Sequence, residues 1–154
     1  MGIPISQTGT AEHPSPRHPH AGIVGLLLEC KEPNPNSSDY GGRTPLSRAA
    51  ENGHEDIVKL LLRYKEVNPD SSNNEGQTPL SRAAENGHQD IVKLLLRGKE
   101  VNPNSSNHRR ETPLWKAAAN EHEGIVGLLL TRKEVNPNSP DNGGRTPLSQ
   151  AAEV

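Results

Sequence analysis

Thr44-Pro45-Leu46-Ser47-Arg48-Ala49-Ala50-Glu51-Asn52-Gly53-His54, followed by Ile57-Val58-Lys59-Leu60-Leu61-Leu62, decides how this chain folds, because it is written more than once. Thr-Pro-Leu recurs at Thr44, Thr78, Thr112 and Thr146, always 34 residues apart. Residues 44–77 and 78–111 are identical at 27 of 34 positions, and 112–145 matches 78–111 at 19 of 34, so the chain is a tandem array. The period runs past both ends of the three whole units. Gly22-Ile23-Val24-Gly25-Leu26-Leu27-Leu28 is in register with Asp56 to Leu62, and 146–154 repeats only the first part of a unit. The expected layout is a disordered leader over 1–20, a half unit over 21–43, whole units over 44–77, 78–111 and 112–145, and a half unit over 146–154.

Each unit reads as two short helices and a long connection. Thr44 suits an N-cap and Pro45 the first helical position, where the missing N–H costs nothing. Leu46, Ala49 and Ala50 fall at i, i+3 and i+4 and share one face; the small alanines let another helix come close. Asn52-Gly53 ends that helix. The second helix, from about His54 to Arg63, is apolar nearly all round and needs cover on several sides. Val67 to Gln77, rich in Asn, Ser, Pro and Gly, is the connection.

Helices this short do not stand alone in water, so the units must bury their apolar faces against one another. Composition agrees. Apolar residues make up 30% of the 154, or about 39% with glycine, below the roughly 45–50% of an ordinary domain. There is no Phe, and the aromatic residues are Tyr40, Tyr64 and Trp115, which suits thin layers filled by Leu, Ile, Val and Ala. The net charge of −2 supplies no field for nucleic acid or an anionic membrane, and no apolar run nears the roughly 20 residues a bilayer requires. With one cysteine, Cys30, and no secretory signal, the chain reads as intracellular: cytoplasmic, with the nucleus as the other option.

These residues resemble the ankyrin repeat, whose units carry a Thr-Pro-Leu signature at a near-33 period. The resemblance spans roughly 21–154, and the Val-Asn-Pro spacing is similar to units of filamentous-fungal proteins, where such arrays follow a nucleotide-binding signalling domain. It implies an all-α solenoid: antiparallel helix pairs stacked side by side, with projecting fingers and a concave side that binds another protein. It implies no enzymatic activity and no cofactor or metal.

Four departures from the family pattern carry expectations. The histidine usual after Thr-Pro-Leu is Ser47, Ser81, Trp115 and Ser149, so an imidazole bond between units should be lost. The glycine usual after the second helix survives as Gly98, against Cys30, Tyr64 and Arg132. The finger glycine present as Gly42, Gly76 and Gly144 is Arg110 in one copy, strained by about 1 kcal/mol or more if φ is positive there. Pro69, Pro103 and Pro137 remove a donor, so the fingers should be loops with little β-ladder.

Other motifs weigh toward structural roles. His54, His88 and His122 recur at the repeat period and read as helix-start residues bonding a neighbouring connection; helix axes 8–10 Å apart hold such rings too far apart for one zinc. His13, His18 and His20 form a loose cluster broken by prolines, read as part of the leader, and Met1-Gly2-Ile3-Pro4-Ile5-Ser6 fits the permissive myristoylation pattern. Asn36-Ser37-Ser38 and Asn104-Ser105-Ser106 are sequons read as finger turns. No nucleophile, metal-protease or phosphate-loop motif is present.

The copies disagree where packing does not constrain them. Between the first two whole units the differences are Glu55/Gln89, Tyr64/Gly98, Asp70/Asn104 and the block Asn74-Glu75-Gly76-Gln77 against His108-Arg109-Arg110-Glu111. This block and the first-helix ends are the expected contact surface. The candidate partner-binding residues are Arg43, Arg48, Glu51, Asn52, Asn74, Glu75, Gln77, Arg82, Glu85, Asn86, His108, Arg109, Arg110, Glu111, Trp115 and Lys116. Arg48, Arg82 and Lys116 should form a basic row, and Trp115 should either anchor a partner or fill the groove between units. The expected function is a monomeric protein-binding module with soft edges, a fragment or short product of a longer array; the alternative is a spacer or self-association array with no dedicated partner.

Overall fold

The computed structural model describes residues 19–153. The leader up to residue 18, with His13, His18 and the myristoylation pattern, lies outside the described residues. Eight helices follow in order: α1 (Pro19–Leu28), α2 (Pro45–Glu51), α3 (Glu55–Leu61), α4 (Pro79–Glu85), α5 (Gln89–Leu96), α6 (Pro113–Ala119), α7 (Glu123–Leu130) and α8 (Pro147–Ala152). Among the described residues there is no strand.

The local reasons repeat with the sequence. Thr44, Thr78, Thr112 and Thr146 cap α2, α4, α6 and α8, each Oγ1 accepting the N–H three residues on at 3.2 Å, with proline next to the cap. Asn52, Asn86 and Asn120 end the first three of these helices, their Nδ2 groups donating to the carbonyls of Arg48, Arg82 and Lys116. The chain then reverses through a positive-φ residue: Gly53, Gly87 and, in the last whole unit, Glu121 at φ 59°.

The helices stack in two rows. α2, α4, α6 and α8 pack successively on one another, and α1, α3, α5 and α7 form a second row behind them. Each inner helix also packs on the outer helix that follows it, α2 on α3, α4 on α5 and α6 on α7. The core lies between the rows: Leu46, Ala50, Val58, Leu80, Ala84, Val92, Ala117 and Leu129 are fully buried. The middle unit is covered on both sides; α1 and α8 are each covered on one, leaving Ile23, Leu27 and Leu148 exposed.

The fingers, 39–43, 73–77, 107–111 and 141–145, are turns and not ladders. An Asp or Asn opens each one: Asp39, Asn73, Asn107 and Asp141 accept two backbone N–H groups through Oδ1, from the residues two and four positions on. Gly42, Gly76, Arg110 and Gly144 all have positive φ, so Arg110, at φ 62°, carries the strain expected of it.

Candidate functional site

The face made by the fingers and the inner row carries the sequence-predicted residues. Successive fingers are stitched by one backbone bond each: the N–H groups of Asn74, His108 and Asn142 donate to the carbonyls of Gly41, Glu75 and Arg109 at 2.9–3.0 Å. Asn74 and Asn142 add a side-chain bond to the carbonyls of Tyr40 and His108.

Of the sixteen candidates, Arg48, Asn52, Asn74, Glu75, Asn86, His108, Arg109 and Arg110 are exposed. Arg43, Glu51, Arg82 and Glu85 are half-buried, and Gln77, Glu111, Trp115 and Lys116 are buried. Eight of them (Glu75, Gln77, Arg82, Glu85, His108, Arg109, Glu111 and Lys116) line one polar cleft of about 340 Å³ between the second and third fingers, together with Asn107.

The expected basic row does not exist as free positive charge. Arg82 bonds Glu51 of the preceding unit and Glu85 of its own at 2.7 Å. Lys116 bonds Glu85 of the preceding unit at 3.0 Å and Glu111 at 2.8 Å. The result is a ladder of alternating sign along the inner row. Cations recur every 34 residues, but their carboxylate partners lie 31 residues earlier, in the neighbouring copy. Arg48 alone of the three projects, 3.9 Å from Asp39. Burial pushes the Glu111 carboxyl up, but bonds from Lys116 and Asn107 outweigh it and hold it below the usual glutamate value. For Lys116, burial pulls the ammonium down and the bonds to Glu111 and Glu85 win, raising it.

Trp115 fills the groove between units. It is 6% exposed, its Nε1–H donates to the Arg145 carbonyl at 3.1 Å, and the Arg145 guanidinium lies 5.7 Å from the ring centre. A bond between units, expected to be lost, is thus remade here by indole. At Ser47 the loss stands: its buried Oγ finds no partner. His88 and His122 bond the neighbouring unit through Nε2, at 3.0 and 2.9 Å, and the acceptors are the Glu51 and Glu85 carbonyls at the ends of the inner helices. Each ring lies against Gly53 or Gly87, where an added Cβ would meet it at 2.7–2.8 Å. Arg132, in place of the usual glycine, reaches back to the Leu96 carbonyl at the end of α5.

One set of residues escaped sequence reasoning as a device. Asn36 and Asn104, read as turn residues, clamp the next unit: each Nδ2 donates to a backbone carbonyl, of Glu66 or Glu134, and each Oδ1 accepts the N–H of Asn68 or Asn136. At the equivalent position Asp70 cannot donate, and its buried Oδ1 has no partner. Burial raises the Asp70 carboxyl above its usual value, opposed by the Asn102 N–H and the Ser105 hydroxyl. The recurrence of Asn-Pro-Asn at 34–36 and 102–104 against Asn-Pro-Asp at 68–70 was the available signal.

No helix among the described residues is long and apolar enough to cross a membrane. No curated protein matches the sequence. The family model for ankyrin repeats in three copies matches residues 17–107 and 98–154, which together take in nearly all of the stacked helix pairs and fingers described above. With capped helix pairs, positive-φ reversals and bonded fingers repeating every 34 residues across that match, the chain belongs to the ankyrin repeat family.

Proposed function

We propose that this chain is a non-enzymatic protein-binding module that holds one partner protein along its fingers and inner-helix ends. Ankyrin repeats are in general protein–protein interaction modules. The observation that carries the assignment to this face is the division among the candidates. The paired charges of the ladder fix the inner row as a rigid floor. Asn74-Glu75 and His108-Arg109-Arg110 stand exposed above it at the block where the copies diverge. The polar cleft between those two fingers gives a partner side chain fixed donors and acceptors already held in place. Arg110 supports the same reading, since a strained non-glycine residue at an exposed tip points to use.

The test is affinity capture from an extract of the source cells with the full chain and with an Arg109→Glu, Arg110→Glu variant. A protein retained by the first and lost by the second, at unchanged helicity, supports the assignment. A Lys59→Glu, Lys93→Glu control on the outer row should retain it. Loss in the control, or capture untouched by the finger variant, moves the site off this face; no capture at all favours the spacer reading.

A further inference from the structure

Arg132 closes the joint between α5 and α7. Its Nη1 donates to the Leu96 carbonyl at 2.9 Å, and its Nε and Nη2 bond Glu134 at 2.9 and 2.8 Å. One repeat earlier the corresponding residue is Gly98, and one before that it is Tyr64. The joint between α3 and α5 is therefore open. A groove of about 580 Å³ runs between the helix ends there, with Leu62, Tyr64, Leu94, Gly98, Glu100 and Val101 in its walls. It lies between two whole units, so it does not depend on where the array begins or ends.

The backbone does not require glycine at 98. Tyr64, Gly98 and Arg132 make the same turn, each N–H donating to the carbonyl three residues back at 3.0 Å, and Gly98 is not among the positive-φ residues. A Cβ on Gly98 would meet the Leu95 carbonyl at 3.3 Å and Val101 at 3.6 Å, a fit that the same turn accepts at Tyr64 and Arg132. The missing side chain leaves acceptors behind. Among the described residues no donor reaches the Leu62 carbonyl, the repeat of Leu96, or the Glu100 carboxylate, the repeat of Glu134. The Glu100 carbonyl lacks a donor too: Asn36 and Asn104 supply one to Glu66 and Glu134, and Asp70 cannot. The C-terminal ends of α3 and α5, both at this groove, add partial negative charge.

We propose that the groove between α3 and α5 is a docking site for an arginine side chain presented by a partner protein, its guanidinium lying where that of Arg132 lies one joint further on. The guanidinium donates to the Leu62 carbonyl and to Glu100, and its aliphatic stem covers Leu94 and Val101. Tyr64 gives this groove a ring on which a planar guanidinium stacks; the joint between α5 and α7 has Gly98 at that position. Lys65, Arg97 and Lys99 also line the groove and are exposed. Lys99 and Lys133, the repeats of the two lysines, stand at the joint that Arg132 occupies, so flanking lysines do not keep a guanidinium out. Arg97, which is Thr131 there, lowers the affinity and makes it rest on forked hydrogen bonding, which arginine has and lysine does not. None of the candidate finger-face residues lines this groove, so the proposal stands independently of the partner assignment made above.

Amide NMR of the full 154-residue chain, titrated with the blocked peptide acetyl-glycyl-arginyl-glycinamide, tests this. The peaks of Leu62, Gly98 and Glu100 should shift and saturate. The lysyl peptide should bind several-fold more weakly, and the glutamyl peptide should leave those peaks in place. Gly98→Arg and Gly98→Tyr, which fill the groove as Arg132 and Tyr64 do at the neighbouring joints, should keep the helicity and lose the response. Arg132→Gly should gain a second, weaker response around Leu96 and Glu134. An arginyl peptide that moves none of the three peaks, a lysyl peptide that binds equally well, or a glutamyl peptide that moves them instead overturns the proposal. So does a response that survives both Gly98 variants, or an Arg132→Gly chain with no second response.

Discussion

Thr78-Pro79-Leu80-Ser81 and Thr146-Pro147-Leu148-Ser149 are the same four residues, capped in the same way, in opposite environments. Leu80 is buried completely between neighbours, while Leu148 is 79% exposed. Identical local sequence therefore gives identical local structure and a different energy. The helix belongs to the tetrapeptide; the stabilisation belongs to the joint with the next unit, as expected of a one-dimensional stack.

The largest test of that contrast is truncation. Leu80→Ala should cost about 3 kcal/mol, and Leu148→Ala less than about 0.5 kcal/mol, in urea unfolding of dilute protein. Equal costs would mean that the end is as well packed as the centre. The ionic part of a joint comes next. Lys116→Met leaves Glu111 without its cation and Glu85 with Arg82 alone, and should cost about 2 kcal/mol at neutral pH. Glu111 has a folded-state value below its unfolded one. Its contribution is therefore present above the unfolded value and lost as pH falls through the folded one, and the gap between wild type and variant should close in acid.

Asp70→Asn probes the joint from the opposite side. It should stabilise by about 1 kcal/mol by supplying the donor that Asn36 and Asn104 supply elsewhere. Asp70 has a raised folded-state value, so its ionised form weakens the fold above that value and the penalty fades as pH falls. The gain in the variant should shrink with acidification, measurable as converging thermal midpoints. The smallest effect is local to one finger. Arg110→Gly should add about 0.5 kcal/mol, the relief of a positive φ partly offset by the freer unfolded chain. Its loss of partner capture would be the larger readout.

Much of the fold was legible because it is periodic. The caps at Thr44 and its copies, the breaks after Asn52 and Asn86, and the positive φ at Arg110 each follow from one residue and its immediate neighbours. Glu121 was legible in principle, standing where Gly53 and Gly87 mark a reversal, yet the break was read from the glycines alone. The candidate face was located at the diverging finger block, but its charge was misjudged. Arg82 and Lys116 looked like a basic row because a period of 34 brings like residues together; the step that matters between neighbours is 31.

The sequence by itself determined the unit, its length and its number of copies, because capping, helix propensity and glycine conformation act within a few residues. Only the tertiary structure decided which side chains remain available. Trp115 is closed off by a contact across a joint, and Lys116, Glu111 and Gln77 are held as the buried floor of the polar cleft, while His108, Arg109 and Arg110 are left open. The physical reason is that burial and ion pairing depend on what the neighbouring copy places opposite a residue, and that is a distance in space that no single repeat encodes.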